Sequence, residues 1–249
     1  MLIFNIIFNF ILGIIVGSFL NVLIYRLPKK IEVTFSRSFC PECGHKLGFF
    51  DLIPLFSYIF LKGKCRYCKA KISFIYPLIE FITGLIFVIS FIYYGFSILY
   101  LKFIIFTSIL IVISIIDLRT MEIEDSPLYF GFFMGVIFLL IEKNYLNTLY
   151  GIIIAGVIFF LIIVLSKGGM GGGDFKLSFL FGLYLGFPKI IPWFFLSFLI
   201  GFFPAIFMLI TKKATRKTPL PFGPFMAISG IITFLYGNQI IRFYNNLML

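Results

Sequence analysis

The chain alternates between long apolar runs and short polar connections, and the runs set its architecture. A helix needs about 20 apolar residues to cross the hydrocarbon layer, and eight segments meet or approach that length: 2–25, 75–94, 97–117, 126–141, 147–166, 174–188, 190–211 and 221–245. Backbone polar groups in lipid must be satisfied within the segment, so each run predicts a helix. The expected fold class is all-α: a polytopic membrane protein of about eight transmembrane helices. The fourth and sixth runs are short, and segments lined by protein instead of lipid would complete them. One stretch, 26–76, is polar and too small to bury a large core. The chain thus divides into a first transmembrane helix (1–25), a small insert (26–76) and a transmembrane core (77–249). No internal repeat is visible.

Composition agrees with this pattern. Of the 249 residues, 61% are hydrophobic, 20% aromatic and only 12% charged, well outside the range of soluble domains. A net charge of +11 could point to nucleic acid. The Lys and Arg residues, however, sit in the connections between apolar runs and not on one face of a soluble fold, so nucleic acid is not the expected partner and membrane orientation is. If 26–76 is cytoplasmic, Lys102, Lys143, Lys189 and Arg242 fall outside while the other seventeen of the 21 Lys and Arg fall inside. That bias predicts both termini outside, with the 26–76, 117–126, 167–174 and 212–220 connections in the cytoplasm. No Lys or Arg precedes the first run and no small-residue cleavage site follows it, so it is expected to stay as a helix and not to be removed as a signal peptide.

Two acids stand at the ends of apolar runs. Asp117 closes F-T-S-I-L-I-V-I-S-I-I-D, and Asp174 opens a run after Gly171, Gly172 and Gly173 in a G-x-G-D pattern. Carboxylates at a membrane edge are costly and usually functional. The topology puts both on the cytoplasmic side, where two acids can share one proton while one of them activates water, as in aspartic proteases. Glycines before Asp174 would let a substrate backbone approach, although glycines alone also make ordinary loops. A reading from a different class is a transporter or channel that passes protons or cations along the acids. A structural assembly subunit, which would tolerate their loss, is a third.

All four cysteines fall in the insert, as Cys40-Pro-Glu-Cys43 and Cys65-Arg-Tyr-Cys68. Two C-x2-C pairs separated by 21 residues match the spacing by which two knuckles present four thiolates to a tetrahedral zinc, and so small a domain gains its stability from such a metal. Four unligated thiols or two redox pairs are the alternatives. His45 reads as a solvated loop residue, since four thiolates already close the site.

The remaining polar residues admit plainer readings. Glu122 and Glu124 read as solvated loop acids, and Asp125, before Ser126-Pro127, as a helix cap. Lys176 reads as a surface lysine, with binding of lipid phosphate or tuning of Asp174 as the alternative. Ser18 and Asn21 in the first run read as interhelical hydrogen-bonding residues. Glu80 could line a site or sit at headgroup level paired with a loop lysine.

Taken together, G-S-F-L-N-V-x-I-Y-R-L-P near the start, the C-P-x-C and G-K-C-R-Y-C pairs, Y-P-x-x-E, D-L-R-x-x-x-I-x-D and G-G-G-D-F-K-L resemble the type IV prepilin peptidase family, membrane aspartic peptidases of the GxGD type. The resemblance covers nearly the whole chain. It implies that Asp117 and Asp174 are the catalytic pair and that the enzyme removes a short basic leader from prepilin or pseudopilin precursors, at the cytoplasmic face of the inner membrane. Family members with the cysteine insert commonly also methylate the new amino terminus with S-adenosylmethionine. The related archaeal preflagellin peptidases look like a shorter version without the insert, so the cysteines favour the bacterial bifunctional branch. No residues follow for the methyl donor, because no glycine-rich nucleotide loop is present.

Overall fold

A computed structural model describes residues 1–33, 37–166, 169–211 and 220–248. Lys167, Lys212, Lys213, Arg216 and Lys217, counted above as inner basic residues, and most of the 212–220 connection lie outside them. The described residues are helical, with no strand and two isolated bridges, Phe39 with Lys46 and Lys64 with Lys71. The helices are α1 (Leu2–Arg26), α2 (Phe56–Phe60), α3 (Ile75–Tyr94), α4 (Ile98–Thr120), α5 (Asp125–Glu142), α6 (Tyr145–Leu165), α7 (Gly172–Leu185), α8 (Ile190–Ile210) and α9 (Gly223–Met248). All except α2 and α7 are long and apolar enough to cross a membrane, which makes seven candidate spans. The eighth expected span, α7, has 14 residues.

The chain forms two compact units, Met1–Ile104 and Ile105–Leu249. In the first, α1 and α3 pack through small residues. A Cβ on Gly13 would lie 2.7 Å from the Gly84 Cα, and one on Gly17 would lie 2.7 Å from the Glu80 Cα. Lipid tails give no hydrophobic drive for helices to associate, so backbone approach at small residues four apart supplies the packing instead. Asn21 Nδ2 donates to the Tyr76 carbonyl across 3.0 Å, the interhelical role expected of it. Arg26 ends α1 with a buried guanidinium that donates to the carbonyls of Glu32, 2.8 Å away, and Arg37, 3.0 Å away, and so folds the start of the insert back on the helix.

The second unit is built around α7. Leu177, Leu180, Phe181 and Trp193 are wholly buried, with the Phe181 ring stacked on Trp193 at 4.4 Å and Phe159 stacked on the same indole at 5.7 Å. The α6–α7 pair is antiparallel: Phe160 faces Phe175, Phe179 covers Gly156, and Gly186 meets Gly151. The turn after α7 continues the crossing, since Phe187 N–H bonds the Asn147 carbonyl near the start of α6. α7 has 14 residues and is largely buried, and a helix encased by protein need not match the lipid thickness. α5 runs parallel to α7, with Gly131 against Leu180 and Gly135 against Leu183.

Candidate active site and metal centre

Both conspicuous acids lie at one end of the second unit. Asp117 is one turn before the end of α4 and only 4% exposed. Its Oδ2 accepts the backbone N–H of Gly223 across 2.9 Å. Gly223 opens α9, where amides point out of the helix unpaired and favour a negative partner. A Cβ there would lie 2.7 Å from Oδ2, so the approach requires glycine. The first turn of α9 is held in place by Trp193, whose Nε1–H donates to the Met226 carbonyl across 3.1 Å.

Asp174 occupies the first turn of α7 and accepts the amide of Gly171, the N-cap residue. An acid there complements the helix dipole, which by itself would be a structural role. What distinguishes it is its neighbour, because Asp117 is near enough to interact with it electrostatically. Since Phe175 faces Phe160, Asp174 lies about one turn, about 6 Å, inside the end of α6. The three glycines before it differ in purpose. A Cβ on Gly173 would lie 2.9 Å from the Ile123 Cβ, so this glycine lets the 121–124 connection pack on the helix start. Gly172 has nothing within 4 Å of such a Cβ, so space is left open beside the acid.

The surrounding charges depart from the sequence reading at two places. Glu124, not Asp125, is the N-cap of α5, and Asp125 is its first helical residue. The Asp125 carboxylate instead meets Lys176 Nζ at 2.8 Å, tying α5 to α7 beside Asp174. Lys176 is therefore paired. Both partners are about half-exposed, so solvent screens the pair and its contribution to stability is small.

The four cysteines converge in the first unit. Their Sγ atoms all lie within 4.8 Å of one another, with Cys40 and Cys65 buried and Cys43 and Cys68 exposed, and none forms a disulfide. Tetrahedral zinc–thiolate bonds of about 2.3 Å place sulfurs about 3.8 Å apart; Cys40 and Cys68 are at 3.9 Å. The backbone amide of Cys68 draws the Cys65 thiol down to about 7. Cys68 is pushed up to about 11: the Ala70 amide lowers it, but desolvation and the crowded Cys43, Cys65 and Cys40 thiols prevail. Four thiols so placed ionise together only around a cation, so the donor set fits a divalent metal. His45 is exposed and stacks on Tyr67 at 3.6 Å, outside the sulfur cluster. Asp51 ties the second knuckle down, accepting Arg66 Nε at 2.6 Å and the Tyr67 hydroxyl at 3.2 Å.

Glu80 is buried in α3 and has no lysine partner among the described residues. It accepts the Leu55 amide at 2.8 Å and the Ser18 hydroxyl.

Comparison with known proteins divides the chain in a similar way. Residues 11–94 match the bacterial peptidase A24 N-terminal domain and residues 104–206 match the type IV leader peptidase family. The prepilin leader peptidase/N-methyltransferase of Bacillus subtilis (strain 168) is 35% identical, over 94% of this chain and 96% of that protein. The proteins of the same name from Pseudomonas aeruginosa and Aeromonas hydrophila are 33% and 32% identical, over 94% of this chain and 91% and 92% of theirs. No solved structure matches the chain.

Proposed function

The chain belongs to the type IV leader peptidase family, and from that premise we propose that Asp117 and Asp174 are the catalytic pair with which it cleaves the leader of prepilin-like precursors. The observation that carries this reading is the meeting of two carboxylates from α4 and α7 at one end of the unit, one of them held by the Gly223 amide. In cleavage, one carboxylate takes a proton from water as it attacks the scissile carbonyl. The other, protonated, donates to the carbonyl oxygen; on collapse it takes that proton back, while the first carboxylate passes the proton it took from water to the leaving amine. The two acids titrate as a pair, so a single shared proton defines the competent state. Open space at Gly172 suits an extended substrate backbone.

The substrate is a precursor whose apolar helix lies in the membrane and whose basic leader remains on the cytoplasmic side, at the inner membrane. The distribution of basic residues supports an active site facing the cytoplasm with both termini outside. Cysteines introduced at Lys30, Arg119 and Lys143 test this topology: Lys143 alone should label from outside, and outside labelling at Arg119 contradicts it.

Zinc, held by Cys40, Cys43, Cys65 and Cys68, would staple the insert without entering the chemistry. S-adenosylmethionine, when bound, supplies a methyl group for the new N-terminal amine, as the names of the relatives suggest. Purified protein given a leader-bearing precursor should yield two masses, the cleaved product alone and the same product heavier by one methyl when the donor is added. An intact precursor under both conditions would refute the reading.

A further inference from the structure

In the first unit a cavity of about 380 Å³ opens between α1, α3 and the insert, within the size range of small-molecule sites. We propose that it is the binding site for S-adenosylmethionine, with the Glu80 carboxylate as counter-charge to the sulfonium, an inference that rests on the methyltransferase reading above. Glu80 is the feature that needs explaining. It lies in an apolar helix at 9% exposure, where a carboxylate is costly, and no described cation pairs with it. Its two partners, the Leu55 amide and the Ser18 hydroxyl, are neutral donors that orient the carboxylate and leave its charge uncompensated.

The surroundings orient that carboxylate from two sides. Leu55 has φ 62° and ψ −50°, and Phe56 N–H bonds the Pro54 carbonyl at 2.7 Å. This is the positive-φ γ-turn, rare for a residue with a side chain, and it presents the Leu55 amide to Glu80. From the other side, α1 approaches the Glu80 backbone at Gly17, which sets Ser18 beside the carboxylate. A hydrogen-bonded structural acid does not require that much convergence, since a glutamine would accept the same two donors. The rest of the lining suits the rest of the ligand. Tyr25, Tyr58 and Tyr76 offer aromatic surface for a purine, and Lys71 offers positive charge for a carboxylate.

The test is direct binding to the detergent-purified, zinc-loaded full chain, measured for S-adenosylmethionine and for S-adenosylhomocysteine, whose sulfur is neutral. Three proteins are compared: the unmodified chain, Glu80→Gln, and Ser57→Trp, which fills the cavity from α2. Zinc content and thermal unfolding report on folding. Glu80→Gln should weaken S-adenosylmethionine about tenfold or more, bringing the two affinities closer together. Ser57→Trp should lose both ligands. Unchanged binding in either zinc-retaining variant overturns the proposal; if the unmodified chain still methylates precursor, the methyltransferase reading stands without this site. If the unmodified chain neither binds the donor nor methylates, both fall. Should Glu80→Gln lose zinc, Ser57→Trp decides.

Discussion

The Gly223 amide reaches Asp117 Oδ2 across 2.9 Å, so the first residue of α9 fixes the carboxylate that closes α4. Gly223→Ala puts a methyl 2.7 Å from that oxygen and must displace the acid. Small displacements of a reacting group are expensive, and we expect cleavage to fall about 10- to 100-fold with expression retained. Ile228→Ala, on the exposed side of the same helix, is the control and should stay near normal. Equal activity in the two variants would remove the positioning role of Gly223.

Elemental analysis of the purified chain should find one zinc per molecule, and Cys40→Ser combined with Cys65→Ser should abolish it. Loss of the metal should expose the insert to protease first, because the sulfur cluster and the aspartates belong to different units. Zinc retained in the double variant would contradict the assignment of ligands.

Much of this was legible in the sequence. All eight apolar runs correspond to helices, because the rule that lipid imposes on backbone groups leaves little alternative. The proximity of the two acids was legible because a carboxylate at a membrane edge is expensive, and the convergence of the four cysteines because of their C-x2-C spacing. Gly223 carries no signal of its own at the start of the last apolar run, and only the fold reveals a partner 106 positions away. For Glu80 the sequence left open lining a site and pairing with a loop lysine, because its two donors come from the insert and α1. Asp125 was read as a cap because nothing local shows that Lys176 reaches it. The spacing of Gly13 and Gly17 is a readable signal of close helix packing.

That spacing carries its own consequence. Gly17→Val forces apart two backbones already in contact, and overpacking of this kind costs about 1–3 kcal/mol. A lowered melting temperature for the detergent-solubilised chain should follow, whereas Ile15→Val on the exposed side of α1 should change little. Equal stabilities would show that α1 and α3 do not depend on the approach.

Asp51 makes the insert sensitive to acid. Burial raises its carboxyl, but the hydrogen bonds from Arg66, the Gly48 amide and Tyr67 together hold it below the usual carboxylate range. A folded value below the unfolded one stabilises above about pH 4 and loses that contribution as pH falls through the folded value. The guanidinium is half-exposed, so solvent screening limits the effect to about 1 kcal/mol or less. The difference in unfolding temperature between the unmodified chain and Asp51→Asn should therefore shrink from about pH 6 to about pH 3. A constant difference would show that the carboxylate charge is not what Arg66 and Tyr67 recognise.

The catalytic assignment is tested most directly by cleavage of a leader-bearing precursor with purified Asp117→Asn and Asp174→Asn. An amide can neither take up nor share the proton, so each single variant should fall to background while keeping its zinc and its melting temperature. Near-normal cleavage by either one, at normal expression, would contradict the paired-acid account.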